Sequence, residues 1–151
     1  MTTTQEKLSN GIASKELGNQ EFLKGNYKSA LYHYHHCLLH VQGLDTDALQ
    51  AFSPPVSSQN KKSIKETLLA TYKNMAACYL KMENWEKAIY ASDKAIALSE
   101  KDPKAFFRRG QAKAAKGLWS EAESDLKKAV KLAPNDVGIR SELAKLTDSR
   151  K

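Results

Sequence analysis

The 151-residue sequence has few of the residues that crosslink or interrupt a fold. It contains 2 cysteines and 4 prolines, and so few cysteines exclude the disulfide framework of small secreted domains. Its apolar runs are a few residues long, far short of the ~20 that cross a bilayer, so we expect no membrane-spanning helix. Residues 1–14 are polar and lack the basic-then-apolar order of a secretory signal. We therefore expect a cytoplasmic protein.

Chain length and charge are typical of one globular domain. Lys and Arg number 24 and Asp and Glu 17, which gives a formal net charge of +7, and the hydrophobic share is 41%. A chain of this length can bury its own core, and we predict a single domain over 1–151. Its positive surface favours anionic partners. Cys37 and Cys78 have apolar neighbours, and we expect both to be buried free thiols.

Small and aromatic residues recur with a period of 34 residues. Nearer the start of the chain, the aromatic and small residues Tyr27, Ala30 and Cys37 have the same spacing as Trp85, Ala88 and Ala95. Such a period is the mark of a repeat architecture. The pairs that lie 34 residues apart are Trp85 and Trp119, Ala88 and Ala122, Ala95 and Ala129, and Ala76 and Gly110.

These spacings define three copies of one unit, at about 11–44, 69–102 and 103–136, with an insertion at 45–68. No stretch shows the sustained alternation of a strand, and each copy has the pattern of two helices. A last amphipathic segment, at about 137–149, would cap the end of the stack. We therefore predict an all-α fold: seven helices in an open, right-handed superhelical α-solenoid with a concave inner face.

Local signals place the ends of several helices. Gly25-Asn26, Glu83-Asn84 and Lys116-Gly117 occupy matching turns, where Asn and Gly tolerate a left-handed cap. Asp102-Pro103 is typical of a helix start, with Asp as N-cap and Pro in the first turn. Pro134 should stop the helix that contains Leu132.

The insertion divides into two parts. Ser53-Pro54-Pro55 through Asn60 is predicted to be a loop, because Pro-Pro and serine clusters interrupt helices. Lys61 to Leu68 contains no breaker and should extend the next helix backwards. Before the loop, Leu49, Ala51 and Phe52 fit a prolongation of the preceding helix.

The 34-residue helix–turn–helix unit resembles the tetratricopeptide repeat (TPR) over about 11–136. The family's first-helix tryptophan is Ser14, Tyr72 and Phe106 here, and the closing proline appears within its own copy only as Pro134. Because these positions form a packing consensus, such departures leave the predicted fold unchanged. The run from Tyr32-His33 through Gly43-Leu44-Asp45, followed by a Pro-containing insertion, also resembles the tetratricopeptide repeat protein nine family.

A narrower resemblance links the chain to the three-repeat carboxylate-clamp domains of chaperone-binding proteins. It is carried by segments such as Lys15-Glu16-Leu17-Gly18-Asn19 and Lys104 through Gly110. That class has a Lys and an Asn four apart in the first repeat, an Asn in the second, and a Lys and an Arg four apart in the third. The matching positions here are Lys15, Asn19, Asn74, Lys104 and Arg108.

Helix geometry explains how these positions could form one site. Residues four apart share a helix face, so Lys15 lies beside Asn19 and Lys104 beside Arg108. Asn74 lies 34 residues before Arg108 and therefore occupies the equivalent place in the adjacent repeat. We expect the five side chains to converge in one cationic hollow.

The residue types indicate an acidic peptide with a free carboxylate, because Lys and Arg attract carboxylates and Asn can also contact peptide groups. The resemblance implies the ligand: the Glu-Glu-Val-Asp tail of the 90-kDa and 70-kDa heat-shock chaperones. We expect Asn19 and Asn74 to hold the terminal carboxylate and adjacent backbone. Lys104 and Arg108 would grip the acidic side chains and nearby carbonyls. The residues expected to shape the groove are Phe22, Ala77 and Lys73.

Other functions fit the sequence less well. His33, His36 and His40 have a spacing that could hold Zn²⁺, but Cys37 occupies a core position of the repeat and should point away from them. We therefore expect no metal and no cofactor. Basic residues alternate with acidic ones, and no RNA-binding, nucleophile-elbow or metalloprotease motif is present.

We therefore expect a monomeric binding module, not an enzyme, with neither nucleic acid nor a membrane as its partner. One alternative stays open at this point: a TPR scaffold that binds an internal segment of another protein and does not depend on a C-terminal carboxylate. A peptide with a free C-terminus and its amidated twin would separate these two functions.

Overall fold

The computed structural model describes residues 3–44 and 56–149, and these residues form seven helices and no strand. The all-α prediction is therefore confirmed. No helix in these two ranges is both long and apolar enough to cross a membrane. The helices are α1 (Thr4–Leu23), α2 (Tyr27–Val41), α3 (Ser58–Lys81), α4 (Trp85–Leu98), α5 (Pro103–Ala115), α6 (Trp119–Leu132) and α7 (Val137–Ser149).

The chain divides into two compact units, Met1–Thr71 and Tyr72–Lys151, with the boundary inside α3. In the first unit α1 packs along α2. Small or apolar side chains make this approach possible, as the repeat pattern predicts, and they exclude water from the core. The buried side chains of α1 and α2 include Leu8, Ala30, Tyr34, Cys37 and Val41.

In the second unit α4 packs on α5, α5 on α6, and α6 on α7. Phe106, Ala129 and Ile139 form one apolar cluster across α5, α6 and α7. Leu126 and Leu146 belong to a second cluster between the same helices. The segment predicted to be a cap thus forms α7, which buries its apolar side against α5 and α6.

The turns between paired helices contain a left-handed residue, as expected, but one of them differs from the prediction. Gly25 and Gly117 have φ of 80°, whereas in the second copy Glu83 has the positive φ, 58°. Asn84 is instead the N-cap of α4, and its side chain accepts a hydrogen bond from the Lys87 N–H. An Asn in that role satisfies a helix-end donor, and the residue before it has to make the turn.

The predicted loop is wrong over its last residues, because α3 begins at Ser58 rather than after Asn60. The Ser57 hydroxyl accepts a hydrogen bond of 3.1 Å from the Asn60 N–H, so this serine caps the helix instead of breaking it. The predicted helix over 61–68 is confirmed. The predictions for Leu49 to Phe52 and for Ser53-Pro54-Pro55 lie outside the described residues.

Candidate functional site

Lys15 and Asn19 lie one turn apart on α1, and both are partly buried. The Lys15 ammonium is 3.6 Å from a carboxylate oxygen of Glu16, whose side chain is 58% exposed. An ion pair this open to water contributes little and is easily exchanged for another partner. The first unit therefore presents an amine and an amide on one helix face, as predicted.

The Asn19 amide is held from α2 by a residue that the sequence analysis did not assign to the site. The Tyr34 hydroxyl donates a hydrogen bond of 2.6 Å to the Asn19 Oδ1 atom. The Tyr34 ring packs closely against α1 at Gly18, where an added Cβ would lie 2.6 Å from a ring carbon. The absence of a Cβ at Gly18 therefore leaves space for the ring, and the ring places its hydroxyl beside Asn19, the next residue of α1.

Cys37 lies in the core of the first unit and is fully buried, as predicted. Its sulfur is 3.3 Å from the Thr71 hydroxyl, which itself donates a hydrogen bond of 2.7 Å to the Thr67 carbonyl. Because that hydroxyl proton is already engaged, the thiol is the donor to Thr71. Burial raises the pKa of Cys37, and Thr71 and Lys15 oppose this rise. The thiol is thus a neutral core group.

In the second unit Arg108 is attached to the backbone of α3. Its Nη1 atom donates a hydrogen bond of 2.8 Å to the Lys73 carbonyl oxygen. Since Lys73 directly precedes Asn74, this bond brings the guanidinium to the turn of α3 that carries the predicted amide. Arg108 and Asn74 are both partly buried. The structure thus attaches Arg108 to the residue that precedes Asn74.

Lys104 lies in the first turn of α5, one turn before Arg108, and is exposed. Within 3–44 and 56–149, no acidic side chain lies within ion-pair distance of its ammonium. The charge of Lys104 therefore faces solvent on the same helix face as Arg108.

Lys73 was expected to shape the groove, and its ammonium instead forms an ion pair with Asp102 at 2.7 Å. Asp102 is also the N-cap of α5, where its other carboxylate oxygen accepts a hydrogen bond from the Ala105 N–H. One carboxylate thus both starts α5 and joins it to α3. The cap follows from the residue types of Asp102 and Pro103, whereas the ion pair depends on how α3 and α5 pack.

Arg108 and Arg109 are adjacent but make different contacts. Arg109 binds both oxygens of Asp125 at 2.9 and 2.7 Å, and Asp93 at 2.9 Å. The hydrogen bonds that Arg109 donates to Asp125 are the main reason that the pKa of Arg109 is raised above its ordinary value. Arg109 therefore connects α4, α5 and α6, and only Arg108 of the pair is directed at α3.

The histidines of α2 are not arranged as a metal site in the described residues. The Tyr32 ring lies 5.3 Å from the His33 ring and 4.5 Å from the His36 ring, measured between centroids. No three His, Cys, Asp or Glu side chains from the two described ranges gather in a way that could hold a metal ion.

Comparison with known structures identifies the fold. The C-terminal TPR-containing domain of a Plasmodium falciparum FK506-binding protein has a TM-score of 0.85 with this chain and 25% sequence identity. The match covers 98% of this chain and 93% of that domain. The chain has the tetratricopeptide repeat fold. The TPR prediction is therefore confirmed, although no family model matches the sequence.

The chain resembles TPR domains of the co-chaperone type. The second TPR domain of human RPAP3, solved with the HSP70 peptide SGPTIEEVD, has a TM-score of 0.72 and 26% identity, over 93% of this chain and 98% of that one. The first TPR of Spaghetti (RPAP3), bound to the HSP90 peptide SRMEEVD, has a TM-score of 0.71 and 23% identity, over 93% of each chain.

A curated relative places the similarity within a larger protein. The chain is 29% identical to the human peptidyl-prolyl cis-trans isomerase FKBP4 over 93% of its own length. It spans 29% of the length of that relative. The similarity therefore concerns one part of the isomerase.

Proposed function

We propose that this chain is a cytoplasmic co-chaperone adaptor that binds the acidic C-terminal Glu-Glu-Val-Asp peptide of 90-kDa and 70-kDa heat-shock chaperones. The observation that carries this proposal is the cationic arrangement in the second unit. There, Arg108 is held beside Asn74 by the Lys73 carbonyl, and Lys104 is exposed one turn away. Similar TPR domains solved with peptides that end in EEVD support the same ligand.

The proposal assigns five residues to one carboxylate clamp. The first unit contributes Lys15 and Asn19, whose amide holds the terminal carboxylate. The second unit contributes Asn74, Lys104 and Arg108. Asn74 contacts the adjacent backbone, and the two cations grip the acidic side chains and nearby carbonyls. Such a clamp binds its ligand without a chemical step, so the chain acts as a binding module and not as an enzyme.

The strength of such contacts suits a short peptide. A hydrogen bond that involves a charged group contributes about 1.5–3 kcal/mol before the peptide's ordering is counted. A few of these, less the ordering of the peptide, correspond to micromolar binding at about −8 kcal/mol. Because Lys104 is exposed, added salt should weaken the complex.

The decisive experiment is a calorimetric titration with two pentapeptides that end in Glu-Glu-Val-Asp, one with a free C-terminus and one amidated. The clamp requires tighter binding of the free acid. Equal affinities would contradict the proposal and would favour a TPR scaffold that binds an internal segment of its partner.

A variant tests the assigned cation. Arg108→Ala should make the binding free energy of the free-acid peptide less favourable by about 1–3 kcal/mol, the scale of one lost charged hydrogen-bond partner. The matched control is Arg140→Ala, which removes an exposed arginine of α7 and should leave the affinity unchanged. A loss below about fivefold at modest salt, or an equal loss in the control, would contradict the role of Arg108.

A further inference from the structure

The Tyr34 side chain combines complete burial with a hydrogen bond to a predicted clamp residue. It is 1% exposed, and its hydroxyl donates to the Asn19 Oδ1 atom over 2.6 Å. This distance is at the short end of O–H···O hydrogen bonds in proteins. Because the Tyr34 ring is fixed by its burial, the hydroxyl is held in place and restrains the orientation of the partly buried Asn19 amide.

The packing of this position does not depend on a hydroxyl. In the third copy the equivalent residue is Leu126, which packs against Gly110 as Tyr34 packs against Gly18. In the second copy it is Ser92, whose buried hydroxyl has no hydrogen-bond partner in the part of the chain that the structure describes. An apolar side chain can therefore fill the space beside the glycine. The Tyr34 hydroxyl has a task other than packing.

That task follows from the two unlike ends of an amide. The oxygen of an Asn side chain only accepts hydrogen bonds, and the nitrogen only donates them. Tyr34 binds the oxygen and so fixes which end of the amide is which, with Nδ2 as the end whose N–H groups suit a carboxylate. If the hydroxyl were absent, the amide could turn over and present its oxygen, which repels a carboxylate.

We propose that Tyr34 is a positioning residue that makes the clamp selective for a free C-terminal carboxylate by fixing the orientation of the Asn19 amide. This inference rests on the proposed function. Tyr34 acts through Asn19, so its contribution belongs to the terminal carboxylate and not to the acidic side chains of the peptide.

The test compares Tyr34→Phe with the wild type, using the free-acid and amidated pentapeptides. The variant should bind the free-acid peptide about threefold to tenfold more weakly, which is the scale of one hydrogen bond. Its affinity for the amidated peptide should be unchanged. In an Asn19→Ala background the same substitution should change neither affinity. Tyr32→Phe is the matched control, because Tyr32 lies on the same helix and is 60% exposed.

The outcomes separate this inference from the proposed function. If the wild type binds both peptides equally, the proposed function fails. If the wild type prefers the free acid and Tyr34→Phe keeps the full preference, the positioning role is overturned. An equal loss for both peptides would also overturn it, because a merely structural hydroxyl would act on both. Thermal unfolding monitors the fold, and Tyr34→Leu, which copies the Leu126 position, serves if the phenylalanine variant does not fold.

Discussion

The Lys73 ammonium lies 2.7 Å from the Asp102 carboxylate, and their side chains are 24% and 12% exposed. Asp102 lies at the start of α5, two positions before Lys104. A negative charge there would reduce the attraction of α5 for an acidic peptide, and Lys73 neutralises it. The ion pair thus protects the cationic character of the helix that carries Lys104 and Arg108.

Removal of the Lys73 charge should expose this effect. We expect Lys73→Met to lower the affinity for the acidic peptide by about threefold to tenfold, because Asp102 is then an uncompensated charge near the ligand. The double variant Lys73→Met/Asp102→Asn should recover most of the affinity, since Asn remains a good helix cap. Calorimetric titration at low and moderate salt measures both variants.

The control for this experiment is a second ion pair of the same unit. Lys116 and Glu86 lie 3.4 Å apart, with side chains that are 34% and 81% exposed. Lys116→Met, alone and with Glu86→Gln, makes the same changes in net charge at another place. The interpretation of Lys73 fails if the control loses as much affinity, or if Asp102→Asn restores nothing.

Gly18→Ala should destabilise the first unit. The added Cβ would lie 2.6 Å from a Tyr34 ring carbon, so the ring or the helix has to move. We expect the free energy of unfolding to fall by about 1–3 kcal/mol, as in other overpacked cores. Gly138→Ala is the control, because its nearest neighbour would be an Asp136 oxygen at 3.4 Å. Urea unfolding that ranks the two variants equally would refute this packing argument.

Arg109→Met should destabilise the second unit because Asp125, with a side chain that is 6% exposed, would keep only its 3.4 Å contact to Lys113 among the described ion pairs. We expect a loss of about 2–4 kcal/mol in the free energy of unfolding. Adding Asp125→Leu removes the buried charge and should recover much of this loss. Arg140→Met, at an exposed site, should change stability by less than about 0.5 kcal/mol. A double variant less stable than Arg109→Met would contradict the charge argument.

Cys78 makes stability depend on alkaline pH. Burial raises the pKa of its thiol to about 12, with Arg108 opposing, so the folded thiol stays neutral where an unfolded cysteine ionises. The stability from this group is fully present below the ordinary thiol pKa of about 8.5 and is lost as pH rises towards the folded value. Between about pH 9 and 11, the unfolding free energy of Cys78→Ala should fall less steeply with pH than that of the wild type. The two slopes should differ by roughly 1.4 kcal/mol per pH unit. Parallel curves for the two proteins would show that Cys78 is not responsible.

The repeat period predicts the elements and the core well, because packing requires the same residue sizes at the same places. The apolar neighbours of Cys37 and its small-residue position in the repeat predict that it lies in the core, and it is fully buried. Asp102 and Pro103 begin α5 as predicted, since their backbone preferences act locally. Such properties depend on a few neighbouring residues and can be read from sequence.

Errors arise where one residue type has two local roles. The serine cluster predicts an interruption of the helix, but Ser57 caps α3. Asn84 was a candidate for the left-handed turn, but it caps α4 and Glu83 takes the positive φ. Both choices depend on where the helix axis has to point, which tertiary packing decides.

Contacts between helices were the part that sequence could not supply. The bonds from Tyr34 to Asn19 and from Lys73 to Asp102 depend on side-chain rotamers, which periodicity does not specify. One signal was available: Tyr34 carries a hydroxyl where the third copy has Leu126. Lys15 and Asn19 lie one turn apart on α1. The convergence of all five residues stays a prediction.

The adjacent residues Arg108 and Arg109 set a limit on how α5 can evolve. One holds the α3 backbone and the other neutralises Asp125. Inserting or deleting one residue ahead of them would rotate both by about 100° around the helix axis, so that one arginine would take the direction of the other and the second would face neither partner. A replacement of one side chain leaves the other arginine in place, whereas a shift in the register of α5 disturbs both contacts.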